Sequence, residues 1–220
     1  MTMDEQTLIQ HALKFFAECE YEQQDISSGL ISEKLLITPD QTEQLLQQLR
    51  TGGFVDENNL ILTARGKEYA LHVLQAHRLY ETYLAKKTGH PESVWHKLAD
   101  EKEHALSRED VKKLSEELGH PRFDPHGDPI PSAAGEMPAK RGKIIVDYPA
   151  GWAGRVVHIE DEPSRLYSFI TRAGITTNSV IRIEKKEHRE IIIGLEGLTF
   201  NFPTKAAAQI TAIDLEEGDT

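Results

Sequence analysis

Ile31-Ser-Glu-Lys-Leu-Leu-Ile-Thr-Pro-Asp-Gln-Thr-Glu-Gln-Leu-Leu-Gln-Gln-Leu-Arg50 is the stretch whose reading decides the fold. It divides at Ile37-Thr38-Pro39. Thr38 suits a helix N-cap, and Pro39 suits the first helical position, where its missing N–H is no loss. A helix is therefore predicted over residues 39–50, with Leu45, Leu46 and Leu49 on its buried side and Gly52-Gly53 ending it. The segment before the turn, residues 31–36, reads as a short helix. Upstream, residues 5–23 carry Leu8, Ala12, Phe15, Phe16 and Cys19 at helical spacing. Downstream, Phe54-Val55 and Leu60-Ile61-Leu62 flank residues 56–59 as a β-hairpin. Helix, turn, helix and hairpin in this order make a winged helix-turn-helix.

Beyond it the periodicity stays helical for a while. One long helix is predicted over residues 64–87, closed by Gly89-His90-Pro91, and another over 92–105. Ser107-Arg-Glu-Asp110 is a cap with acids in the first turn, opening a helix that stops at Gly119. Residues 121–138 hold five of the ten prolines and read as an extended linker. The period then changes to that of short strands, at 143–146, 154–159, 179–184, 190–193, 198–202 and 209–213, interrupted by a helix over 164–173. The expected architecture is multidomain α+β. It comprises a winged helix-turn-helix over 1–70, a helical domain over 71–120, a proline-rich linker over 121–142 and a small β-barrel over 143–220.

Composition narrows the class. At 220 residues the chain exceeds one domain of about 100–150 residues. Hydrophobic residues at 39% and charged residues at 28% are ordinary for a soluble globular protein. No apolar run approaches the roughly 20 residues of a spanning helix, and Met1-Thr-Met-Asp-Glu5 is not the start of a signal peptide. The single cysteine, Cys19, excludes an internal disulfide and fits a reducing cytoplasm. A net charge of −11 argues against nonspecific nucleic-acid binding over the whole surface, leaving room for a local basic patch.

Three groups of side chains carry chemistry. In Trp95-His-Lys-Leu-Ala-Asp-Glu-Lys-Glu-His104, a helix stacks His96, Asp100, Glu103 and His104 on one face. His77 and Glu81 lie four residues apart on the preceding helix. Asp124 and His126 follow in Phe123-Asp-Pro-His-Gly-Asp-Pro-Ile-Pro131. One such group is ordinarily a solvated polar face. Three with the same ligand chemistry, within about fifty residues, point to a divalent metal. No His-Glu-x-x-His, Ser/His/Asp order or phosphate-binding glycine loop suggests an enzyme.

The order of parts resembles the iron-dependent repressor family, the diphtheria toxin repressor and manganese transport regulator group, over nearly the whole chain. The resemblance is carried by Ile31-Ser-Glu-Lys-Leu35, Thr63-Ala-Arg-Gly66, His77-Arg-Leu-Tyr-Glu81, the stretch from His96 to His104, and Pro125-His-Gly-Asp-Pro-Ile-Pro131. The barrel looks like the FeoA/SH3-like module of many members, with Ile170-Thr-Arg-Ala-Gly-Ile-Thr-Thr-Asn178 in place of the usual leucine-glycine segment. Family resemblance implies a homodimer formed through the helical domain, metal-activated binding of operator DNA, and control of metal-uptake genes. It also implies two metal sites per subunit. One would use Asp100, Glu103 and His104 with a residue of the first helix. There His11 stands where the family has methionine or aspartate, and a one-residue slip offers Gln10 instead. The other would use His77, Glu81 and His96, joined by His126 and by Asp124 at a family cysteine position. An acid before the barrel helix, Asp161 or Glu162, is a further candidate. Carboxylate and imidazole ligands suit Mn²⁺ and Fe²⁺, although affinity alone rises toward later metals.

The base-reading positions expected on the second helix of the turn are Thr38, Gln41, Thr42, Gln44, Gln47 and Gln48. Phosphate contacts are expected from Arg50, Lys14, Lys34, Arg65 and Lys67. Residues 1–78 hold twelve Asp/Glu against six Lys/Arg, a net of −6, which disfavours an operator binder. That imbalance keeps a second reading open, a dimeric metal-responsive adaptor acting through protein contacts.

Overall fold

The computed structural model describes residues 5–161 and 164–215. They fall into two compact units, one of residues up to 122 with 130–138, the other of 123–129 with those from 139 onward.

The first unit begins with α1 (Glu5–Glu22), α2 (Ser28–Leu35) and α3 (Pro39–Thr51). At the start of α3 the Thr38 hydroxyl accepts from Gln41 N at 3.3 Å, and the Gln41 side chain accepts from Thr38 N at 2.9 Å. Thr38 is the N-cap that the sequence predicts, and the reciprocal bond from Gln41 satisfies a second orphan donor. Leu13 and Phe16 of α1, Ile31 of α2 and Leu45 and Leu49 of α3 are buried in one core with Leu74. Each such side chain contributes about 1.5–3 kcal/mol of transfer free energy.

The expected hairpin is shorter than its sequence suggests. It consists of one bridge, Val55 to Leu62, with Asp56 N donating to Ile61 O at 2.9 Å. The Asp56 carboxylate accepts from the amides of Asn58 and Asn59, at 2.9 and 3.1 Å, and curls the tip into a side-chain turn that competes with pairing. The wing packs on α4 (Ala64–Lys87), where Gly66 is essential. A Cβ there would lie 1.9 Å from the carbonyl oxygen of Phe54.

A single 3-10 turn, Glu92–Val94, leads into α5 (Trp95–Glu103), and Ser107 caps α6 (Arg108–Glu117). Ala76 and Leu79 of α4 meet Val111, Leu118 and Ile130 in a second small core. The proline-rich segment is therefore not a free linker. Residues 130–138 return to the first unit, where Gln75 donates to Pro131 O at 2.8 Å and Tyr21 to Pro138 O at 2.9 Å.

The second unit is one antiparallel six-stranded sheet in the order β1-β6-β2-β3-β4-β5, fitting the small SH3-like class. Its strands are β1 (Lys143–Ile144), β2 (Ala153–Ile159), β3 (Val180–Lys186), β4 (Glu190–Leu195), β5 (Leu198–Pro203) and β6 (Ile210–Asp214). α7 (Ser164–Arg172) lies after β2, and α8 (Thr204–Ala207) lies between β5 and β6. Sequence periodicity missed α8, whose four residues make barely one turn. β1 ends earlier than expected because Ile145–Asp147 turn as a 3-10 helix. Ile181, Ile183, Ile191, Ile193 and Phe202 alternate into a core with Val156 and Ile210. Residues 123–129 fold with this unit as a fixed turn. Asp124 Oδ1 accepts from the amides of His126 and Asp128, both at 2.9 Å, and His126 O accepts from Ile159 N of β2.

Candidate metal centre

Helices α1, α4 and α5 of the first unit bring their polar side chains to one place. His11 and Lys14 sit three residues apart on α1, and His77 and Glu81 one turn apart on α4. On α5 lie His96, Asp100 and Glu103, with His104 as its C-terminal cap residue. These spacings align each set along one face of its helix.

His11, Glu103 and His104 form a compact triad. The two Nε2 atoms are 3.1 Å apart, and each lies close to Glu103 Oε1, at 3.6 Å from His11 and 3.8 Å from His104. Donors about 2.1 Å from a shared ion stand roughly 3.0–3.4 Å from one another, so the triad is within a few tenths of an ångström of ligation geometry. The tautomer is set from behind. Gln10 donates its amide to Tyr69 Oη at 2.7 Å, which turns its oxygen to accept from His104 Nδ1–H and leaves His104 Nε2 with its lone pair toward the triad. Burial, then the neighbouring Lys14 ammonium, lowers the pKa of His11 and favours the neutral imidazole that ligation needs.

A second group gathers around His77, which is fully enclosed. Its Nε2 lies 3.3 Å from Glu81 Oε1, and His96 Nδ1 lies 3.3 Å from the same oxygen. His96 Nε2 is 3.5 Å from Asp100 Oδ2. His77 Nδ1–H donates to Glu103 Oε2 at 2.6 Å. Burial and Lys14 lower the pKa of His77, but its hydrogen bonds to Glu103 and Glu81 outweigh them and raise it. The Nε2 proton, once released, exposes a donor already aimed at Glu81. Asp100 falls with His77 and His96 as a three-donor group, whereas the sequence reading placed it with His11 and His104.

Between the two groups sits Lys14. Sequence reading placed it on the phosphate-facing surface, and the structure corrects this. Its Nζ donates to Asp100 Oδ1 at 2.8 Å and to both Glu103 oxygens at 3.0 and 3.2 Å, and lies 3.4 Å from His77 Nδ1. The side chain is only 12% exposed. Burial alone would lower its pKa, but Glu103 and Asp100 together hold it well above the ordinary value. Burial would likewise raise Asp100, yet Lys14, His77 and His96 hold it at about 2. Glu103 is also lowered, against its burial, by the His77 hydrogen bond and the Lys14 charge. No signal within α1 marks Lys14 for this placement, because the acids that draw it inward lie on α5.

In the second unit, His126 is buried edge-on against Tyr167, with ring centroids 5.2 Å apart. Its Nδ1 lies 3.9 Å from Asp161 Oδ2. Asp124 is buried and engaged by two backbone amides. Glu162, the other acid proposed from sequence, lies outside the described residues. His158 lies 3.5 Å from Asp128, and although burial lowers its pKa, that partner raises it overall.

The α3 surface differs from expectation at one position. Thr42 is fully buried, 2.7 Å from Ser32 Oγ and donating to Thr38 O at 3.1 Å, so it joins α2 to α3 instead of facing outward. Thr38 and Gln41 are exposed but hold each other in the capping box. Gln44 and Gln47 are exposed, and Gln48 and Arg50 are half-buried. Arg65 donates to Gly52 O at 2.8 Å and lies over the Phe54 ring, at the base of the wing. Lys67 pairs with Glu20.

Residues 63–132 match the family described as iron dependent repressor, metal binding and dimerisation domain. The iron-dependent repressor IdeR of Mycobacterium leprae is 26% identical over 183 residues, covering 76% of this chain and 79% of the relative. Among solved structures, a manganese-dependent transcriptional repressor in complex with manganese is similar with a TM-score of 0.84 and 26% identity, over 93% of this chain and all of that one. The manganese regulator SloR shares the fold, with a TM-score of 0.77 at 20% identity. No helix among the described residues is long and apolar enough to cross a membrane.

Proposed function

Because this chain belongs to the iron-dependent repressor family, we propose that it is a metal-dependent transcriptional repressor, binding operator DNA as a homodimer when Mn²⁺ or Fe²⁺ is bound and controlling metal-uptake genes in the cytoplasm. The observation that carries this reading is the triad of His11, Glu103 and His104. It joins α1, which shares a core with α3, to α5 on the far side of the cluster. The donor set of imidazole and carboxylate, without sulfur, fits Mn²⁺ first and Fe²⁺ close behind.

We assign His11, Glu103 and His104 to one metal position, and His77, Glu81, His96 and Asp100 to the other. Asp124 and His126 are additional candidates from the turn before the barrel, as is Glu162 from sequence. A divalent ion held by the triad supplies positive charge beside Glu103 and a link between α1 and α5. The protein's own groups prepare that link. Gln10 and Tyr69 hold His104 in the ligating tautomer, and burial keeps His11 neutral. Since α1 and α3 are packed together, fixing α1 against α5 fixes the direction in which Gln44 and Gln47 project. Two subunits can then present their α3 helices at the spacing of successive major grooves, about 34 Å apart. Metal in this account shifts a population toward one arrangement, by its preference for the closed triad. DNA binding is assigned to residues 1–70 and dimerisation to 71–120, both within the first unit, and the barrel from 143 onward forms the other region together with 123–129.

Electrophoretic shift of duplexes from upstream of metal-transporter genes, with and without Mn²⁺ or Fe²⁺, tests the reading. A metal-dependent shift is expected. Binding that ignores metal, or no binding at any metal concentration, overturns it.

A further inference from the structure

We propose that Lys14 is a resident cation of the metal centre: its ammonium fills the position between the two ligand groups, so that metal ions bind on either side of it and never as a carboxylate-bridged pair. This rests on the metal-sensor reading above and specifies how that centre is filled.

The position is defined by Asp100 Oδ1, both oxygens of Glu103 and His77 Nδ1, at 2.8–3.4 Å from Lys14 Nζ. Two carboxylates meeting beside an imidazole in an enclosed cluster would by themselves attract a divalent ion between them. Here the separations are those of N–H···O hydrogen bonds, clearly longer than metal–oxygen bonds of about 2.0–2.2 Å. The three protons of an ammonium match the carboxylate oxygens around it. The His77 Nδ1 proton is directed to Glu103, so the imidazole adds no competing donor toward Lys14. A metal bridging Asp100 and Glu103 would have to expel the lysine, which is covalently tethered and almost fully buried. An ammonium left unpaired inside the cluster is a buried, uncompensated charge, which strongly disfavours the exchange.

Two consequences follow for the chain's own groups. Lys14 donates to both Glu103 oxygens and His77 to Oε2, which fixes the carboxylate with Oε1 nearest His11 and His104, so the triad is shaped before metal arrives. Asp100, tied to Lys14 by one oxygen, offers the other to His96 and stays with the second group.

The test counts and characterises bound Mn²⁺ in the full chain. Lys14→Glu replaces the ammonium with a carboxylate. Equilibrium dialysis with elemental analysis is expected to find one more Mn²⁺ per chain than in the unaltered protein. The electron paramagnetic resonance signal is expected to change from the six lines of isolated ions to the broadened spectrum of an exchange-coupled pair. Equal stoichiometry in a folded Lys14→Glu variant, or a coupled spectrum already in the unaltered protein, overturns the proposal. If Lys14→Glu does not fold, Lys14→Met decides. Removing a unit charge next to Glu103 should tighten Mn²⁺ binding by about tenfold or more, and unchanged or weaker binding overturns the proposal. If the unaltered protein takes up neither Mn²⁺ nor Fe²⁺, the metal-sensor reading itself falls, and the role of Lys14 with it.

Discussion

Replacing Glu103 by glutamine in the metal-free protein removes one charge from the centre while keeping the side-chain shape. Lys14 then loses a partner whose nearer oxygen is 3.0 Å away, with no exposed side-chain surface on Glu103 to let water substitute. Coulomb attraction at that distance, with an effective dielectric near 20, is about 5 kcal/mol. Asp100 remains bound to the same ammonium at 2.8 Å and recovers part of it. The net loss expected for Glu103→Gln is therefore about 2–4 kcal/mol, at the lower side of what breaking a buried pair costs. The assay is urea unfolding in chelator, run as a double-mutant cycle with Lys14→Met. With the ammonium already gone, most of the penalty should vanish, giving a coupling of about 2 kcal/mol between the two positions. Additivity within about 0.5 kcal/mol would refute the argument that these groups form one interdependent cluster.

Other substitutions probe the surrounding framework. Gly66→Ala pushes a methyl group into the Phe54 carbonyl and should cost about 2–3 kcal/mol, as overpacked sites do, so an unchanged melting temperature would refute the close approach of wing and α4. Thr42→Val should lower stability by about 1 kcal/mol, through loss of its contacts with Ser32 and Thr38. Gln44→Ala and Gln47→Ala should weaken operator binding at unchanged stability, and the reverse pattern would return Thr42 to the DNA-reading set. His158 should titrate above 6.5 in a histidine NMR titration because Asp128 stabilises its charged form. The raised pKa means the pair contributes fully below about pH 6.5, and less as pH climbs through the folded value. For partly exposed partners this is worth under about 1 kcal/mol. Titration of His158 at or below 6.5 would contradict the assignment.

Much of this could be read in the sequence because local signals and global packing agree. Thr38-Pro39 and Ser107 to Asp110 announce helix starts that the capping geometry then uses. The Leu45, Leu46 and Leu49 pattern selects the face that meets α1. The clustering of imidazole and carboxylate groups on α4 and α5 was legible for the same reason, since i, i+3 and i, i+4 positions share a face in any straight helix. What escaped depends on which neighbours a side chain meets across elements. Nothing local distinguishes Lys14 from a surface lysine, because only the acids of α5, some ninety positions later, draw it inward. Thr42 sits on the polar side of α3 by composition, yet α2 covers it. Asp124 reads in sequence as a candidate metal donor, but its role as a turn former, accepting from two amides, depends on the backbone path that follows it. The wing shrank to one bridge because Asp56 competes for the amides that pairing would need, and α8 was too short to leave a period.

The central claim is that closure of His11, Glu103 and His104 controls DNA binding, and fluorescence anisotropy of a labelled operator duplex tests it most directly. Mn²⁺ is predicted to tighten binding of the unaltered protein by at least about tenfold, corresponding to a coupling free energy of about 1.4 kcal/mol. His104→Ala is predicted to keep a folded dimer that binds the duplex equally weakly with and without Mn²⁺. Metal-dependent tightening that survives in His104→Ala would contradict the account.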